Sequence, residues 1–188
     1  MLIYEELKKD HRKVLSLVDR LAKAEKMNRD ERRKLVQEIT DELVPHSRAE
    51  EAVFYNVLRA MEPKQNLIAH SYQEHMETEA LLRALKAAEI VDIHWHNGAK
   101  KLKEILSHHI DNEENKVFEM ARKSLSDEDA KRIAHAFREL KPRIKDSNML
   151  KSSLELAINL LPKTLREKVT PLFDKTFLGP PSQTRKAS

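Results

Sequence analysis

Cysteine is absent from this chain. Disulfides, iron–sulfur clusters and thiolate zinc sites are excluded with it, so any metal has to be held by imidazole and carboxylate. Aromatic residues make up only 5%, which calls for a mostly aliphatic core and offers few rings for stacking bases. No apolar run reaches the ~20 residues that span a bilayer. The start, Met1-Leu2-Ile3-Tyr4-Glu5-Glu6, has neither a basic n-region nor an apolar h-region, so no signal peptide and a cytoplasmic location are expected. Glycine occurs only twice in 188 residues, whereas charged residues make up 35%. Leu, Ala, Glu, Lys and Arg dominate, and this helix-forming composition predicts an all-α protein. The net charge of +4 comes from Lys and Arg mixed among acids. With no zinc-finger or RNA-binding signature, nucleic acid is not an expected partner.

Apolar periodicity outlines the elements. The first helix is predicted over roughly residues 3–24, with Leu7, His11, Val14, Val18 and Leu21 on one stripe. A second, capped by Asn28 or Asp30, runs to about Met61 with Leu35, Ile39, Leu43, His46, Glu50, Val53 and Val57 inward. Pro45 lies inside it and is expected to kink or break it. A third runs from after Pro63 to about Ala88, its stripe being Ile68, Ser71, His75, Thr78, Leu82 and Leu85. A fourth covers about Asp92 to Lys123, with Leu102, His109, Glu113, Val117 and Met120. Short connections predict an up-down-up-down four-helix bundle over residues 1–124. Ser126 begins a capping-box start for a fifth helix to about Leu140. Further helices are expected between Met149 and Phe177, and residues 125–178 are read as a helical extension packed on the bundle. Residues 179–188 read as a disordered tail.

Two stretches share one pattern: His46-Ser47-Arg48-Ala49-Glu50-Glu51 and His109-Ile110-Asp111-Asn112-Glu113-Glu114. Residues four apart on a helix differ by about 40° around the axis, so each stretch aims an imidazole and a carboxylate at one point. Burying such groups unpaired is costly. A single His–Glu pair is most often a surface hydrogen bond, but His11 and His75 lie on the stripes of the other two helices. His11, His46, Glu50, His75, His109 and Glu113 thus form a candidate dinuclear metal site. Glu51 and Glu114 point about 100° away and are read as solvated surface, the alternative being partners for an imidazole N–H. His70 is held in reserve to His75. His94, His96, His108 and His135 are expected to face solvent, and no repeat beyond the paired motif is evident.

The order His11, His46-x-x-x-Glu50, Glu74-His75, His109-x-x-x-Glu113 resembles the hemerythrin-like (HHE cation-binding) domain over roughly residues 1–122. The resemblance implies a four-helix bundle with two non-haem iron ions, four histidine ligands and Glu50 and Glu113 as bridging carboxylates, with Mn or Zn as other metals the donors suit. It implies O2 or NO as small-molecule ligand, with sensing, storage or iron handling as output. A di-iron redox enzyme reducing peroxide or NO is the alternative. The second histidine that oxygen-carrying members of that family place one turn away on the third helix is not in place, because the positions four before and four after His75 are Ser71 and Glu79. That leaves one iron with fewer protein ligands. A third reading is a metal-free interaction protein, with the C-terminal helices as a homodimer or partner surface.

Overall fold

The computed structural model describes residues 1–61, 66–88, 93–144 and 166–167. Among these there is no strand, and the regular structure is helical throughout. Helix α1 spans Ile3–Ala22 and buries Ile3, Leu7, His11, Val14, Leu17, Val18 and Leu21. A short 3-10 turn, Ala24–Lys26, leads to α2, Arg29–Glu50. Asn28 caps α2 by a reciprocal pair: its Oδ1 accepts the Glu31 N–H at 3.0 Å, and its own N–H donates to Glu31 Oε2 at 2.8 Å. This satisfies two of the donors a helix start leaves open.

Pro45 does not break α2, which runs through it to Glu50. The proline costs a backbone hydrogen bond, but it is buried among the residues that hold the helix in place. The irregularity comes later: Glu51–Tyr55 forms a π-helical turn before α3, Asn56–Met61. Helix α4 is Asn66–Ala87 and α5 is Ile93–Asn112. A second π-helical turn, Glu113–Val117, joins α5 to α6, Phe118–Ser124. Helix α7, Asp127–Leu140, starts from Ser126, whose hydroxyl accepts the Asp129 N–H at 3.1 Å. The expected helices between Met149 and Phe177, apart from Arg166 and Glu167, and the expected tail lie outside the described residues.

Helix α1 packs on α2 and α5, and α4 packs on the same two, so the four long helices close a ring. Their apolar residues form two separate clusters. One gathers Ile3, Tyr4, Leu7, Val53, Phe54, Val57, Ile68, Val117 and Phe118, and α7 adds Ile133, Ala134 and Phe137. The other gathers Val14, Val18, Leu21, Leu35, Ile39, Leu82, Trp95 and Leu102. Phe54, Tyr55 and Phe118 are fully buried, and each phenylalanine contributes roughly 1.5–3 kcal/mol. On every long helix the buried histidine falls between the two clusters: His11 between Leu7 and Val14, His46 between Leu43 and Ala49, His75 between Ile68 and Leu82, His109 between Leu106 and Val117. The fold therefore carries one polar layer between two apolar ones.

Candidate metal centre

Six polar side chains occupy that layer: His11, His46, Glu50, His75, His109 and Glu113, all buried, with both carboxylates fully shielded from solvent. The four imidazoles turn their Nε2 atoms inward onto the two carboxylates. His46 and His75 stand 3.7 and 3.6 Å from Glu50 Oε2. His11 and His109 stand 3.2 and 3.9 Å from Glu113 Oε2. His75 Nε2 and His109 Nε2 are 3.1 Å apart. Two donor groups emerge, each with ligand atoms within 4.8 Å of one another: His11, His46 and Glu50, and Glu50, His75 and His109. The residues singled out by the helical spacing thus come together in space.

None of the carboxylate oxygens of Glu50 or Glu113 accepts a well-directed hydrogen bond, and His11 Nε2 faces Glu113 Oε2 at 3.2 Å as an ion pair without one. Burial raises the Glu50 pKa well above the carboxylate range, and the adjacent Glu113 charge raises it further. Burial opposes a charge on His11, yet Glu113 and Glu114 outweigh it and lift His11 to about 9. His46 is pushed down to about 4, chiefly by burial and against the pull of Asp10. Burial also lowers His75. A folded protein rarely leaves buried acceptors unmatched, and this donor set has the chemistry of a cation site.

The outer nitrogens are all matched. Each Nδ1–H donates to a carboxylate: His11 to Glu114 at 2.9 Å, His46 to Asp10 at 3.1 Å, His75 to Glu51 at 2.9 Å, and His109 to Glu74 at 2.9 Å. These bonds fix the tautomer that leaves Nε2 free to bind a cation. Glu51 and Glu114 are thus not solvated surface, as their helical angle suggested; they reach the imidazoles of neighbouring helices. Asp10 was missed, and Glu74 was quoted in the Glu74-His75 step without a role, although the signal was present: each immediately precedes an inward histidine. The internal repeat is accordingly longer than the paired motif. An acid–His step is followed 35 or 34 residues later by His-x-x-x-Glu-Glu, once from Asp10-His11 and once from Glu74-His75.

The π-turns complete the pattern. A residue five positions on would sit about 140° away on a regular α-helix, whereas i→i+5 bonding brings it back under the first. Tyr55 follows Glu50 and Phe118 follows Glu113 by five. The Tyr55 ring stacks on His75 at 5.6 Å and 15°, and Phe118 on His11 at 6.3 Å and 15°. The Tyr55 hydroxyl is buried without a hydrogen-bond partner, and burial with the Glu113 and Glu50 charges raises its pKa. Away from these rings, a small cavity is lined by the four histidines and by Val14, Leu43, Leu106 and Ile110. Ser71 and Glu79 do not join the layer: the Ser71 hydroxyl donates to the Leu67 carbonyl, and Glu79 pairs with Arg48 and Arg83. His70, His94, His108 and His135 are exposed, and His96 is half-buried.

Described residues that are helical throughout, with buried His and Glu groups that could hold a cation, fit the class of helical metal-binding domains. Residues 2–121 match the hemerythrin HHE cation-binding domain, and the chain belongs to that family. Comparisons with curated proteins and with solved structures returned no match. Among the described residues, no helix is long and apolar enough to cross a membrane.

Proposed function

We propose that this protein binds two non-haem iron ions in the polar layer of an up-down-up-down four-helix bundle and uses them to bind or sense O2 or NO. His11 and His46 would hold one ion, His75 and His109 the other, with Glu50 and Glu113 shared between them. The observation that carries this reading is the pair of fully buried carboxylates with no hydrogen-bond donor, faced by four Nε2 atoms whose opposite nitrogens are all secured. Manganese or zinc suits the same donors. The ring of contacts among α1, α2, α4 and α5 supports the bundle. The burial of α7 against it supports a helical extension packed on the bundle as far as Ile144.

Bound iron would supply the electrons and open coordination that O2 or NO requires. The chain's own residues set the surroundings. The outer carboxylates hold each imidazole in one orientation. Val14, Leu43, Leu106 and Ile110 form the aliphatic wall of a small cavity beside the four rings, which disfavours water there. A di-iron enzyme reducing peroxide or NO is the second reading, and the unpartnered Tyr55 hydroxyl favours it, as an O–H held close to the site.

The test is metal analysis of protein purified without an affinity tag, followed by anaerobic reduction and admission of O2. About two irons per chain and a new charge-transfer band are expected; a band that bleaches on deoxygenation supports binding over turnover. Protein that takes up no iron even after reconstitution would overturn the proposal.

A further inference from the structure

Three of the four outer carboxylates are closed off by a fixed cation. Lys141 sits on Asp10 at 2.7 Å, Lys8 on Glu114 at 3.0 Å, and Arg48 on Glu51 at 3.5 Å. Glu74 differs. Its Oε2 accepts the His109 proton, while its Oε1 faces two further imidazoles, His108 Nδ1 at 2.9 Å and His70 Nε2 at 3.2 Å. Where the other positions carry an ammonium or guanidinium, this one carries groups that bind either a proton or a metal.

The arrangement suits a cation. His70 and Glu74 are one turn apart on α4, and His108 comes from the adjacent α5. One ligand atom from each lies within 4.8 Å of the others. The two rings stand 6.3 Å apart and nearly perpendicular, and the Asn112 amide nitrogen lies 3.1 Å from His108 Nδ1. The imidazoles are 51% and 62% exposed, whereas Glu74 is 7% exposed. Solvent can therefore fill the remaining positions of the coordination sphere. Two nitrogens and one oxygen favour zinc, copper or cobalt over calcium or magnesium, which prefer all-oxygen surroundings.

We propose that His70, Glu74 and His108 form a second, solvent-facing site for a divalent transition-metal ion, joined to the buried layer through Glu74. The outer site stands on its own donors. Its influence on the inner one, by drawing charge from the carboxylate that orients His109, rests on the iron reading.

The probe is Co(II), titrated at pH ~7.5, because protons compete for imidazole, into the full chain stripped of metal. Four forms are compared: wild type, His70→Ala/His108→Ala, Glu50→Met, and the triple variant. Both histidines are exposed, so their removal is expected to leave the fold intact, and circular dichroism checks this. In the Glu50→Met background one Co(II) should bind with a visible d–d spectrum. The triple variant should lose it, with Kd rising at least about tenfold. A Kd within about threefold between the two, or binding only near millimolar Co(II) in both, would overturn the proposal. Failure of the buried site would show differently: Glu50→Met would then bind as many ions as wild type, whatever the histidine pair does.

Discussion

Replacing Glu50 by methionine should stabilise the metal-free protein and remove the stabilisation that metal confers. Glu50 is fully buried, neither oxygen has a donor, and burial beside Glu113 drives its pKa up. An unsatisfied buried polar group costs about 1–3 kcal/mol. Methionine fills similar volume with no polar atom and adapts to an irregular site. At roughly 2–4 °C per kcal/mol for a chain of this size, the metal-free variant should melt about 2–12 °C higher. Metal acts in the opposite direction. Free metal at 100 to 1,000 times Kd stabilises by about 2.7–4.1 kcal/mol, or roughly 5–16 °C. With free metal near 1,000 times Kd the order of melting temperatures should therefore invert: variant above wild type with chelator, wild type above variant with anaerobic Fe(II). Calorimetry under the two conditions reads this directly. A metal-free variant that melts below wild type would show that Glu50 is held by partners and is structural. Equal metal increments in both proteins would show that it is no ligand.

Other expectations concern the surroundings of the layer. Glu51→Gln and Glu114→Gln should each lower iron affinity about 10–100-fold, measured by competition with a chromophoric chelator; unchanged affinity would make these contacts incidental. Asp10 is held at about 2, below its ordinary 3.8, because His46 and Lys141 outweigh the burial that would raise it. A depressed pKa stabilises above the unfolded value and is lost as pH falls through the folded one. Wild type should therefore exceed Asp10→Asn by about 1–2 kcal/mol near pH 6, after allowance for solvent screening. The gap should close between about pH 4 and 2, as followed by urea melts; a pH-independent gap would refute the linkage. Phe137→Ala removes a buried α7 ring that meets the His46 ring edge-on at 5.7 Å. It should cost about 3–5 kcal/mol, and a loss below 1 kcal/mol would mean that α7 is only loosely docked.

The periodicity carried the helices and the inward face of each, because burial on an α-helix imposes a 3.6-residue step that Leu, Val and His all obey. Asn28 and Ser126 marked helix starts for a local reason, since a cap is made within four residues. The π-turns were not legible. Their i→i+5 pairing shifts Tyr55 and Phe118 by most of a half-turn, so a regular helical wheel sets them apart from the layer they pack beneath. The Glu51 and Glu114 contacts were also hidden, because each bond crosses to another helix and depends on interhelical rotation. Pro45 pointed to a break that tertiary packing overrides. Asp10 and Glu74 could have been found from their shared place before a stripe histidine.

The two halves of the layer repeat one another in sequence but not in their surroundings, and this difference has a consequence for the metal. The half built from His11 and His46 lies beneath α7. Phe137 packs on His46, Lys141 from just beyond α7 holds Asp10, and Arg138 bonds Glu6 at 2.6 Å. The half built from His75 and His109 has an unpartnered Tyr55 hydroxyl and an outer carboxylate braced by two exposed imidazoles. Fixed ligand orientation slows ligand release, so the two ions should not leave alike. Removal by excess chelator should follow two phases, with the slow phase belonging to the α7-covered half. Phe137→Ala should accelerate the slow phase and leave the fast one within about twofold, since His46 touches Phe137 and His109 does not share that contact. Single-phase loss of both ions, or acceleration of both phases together, would mean that the bridging carboxylates release the pair as a unit and that α7 has no hold on one ion in particular.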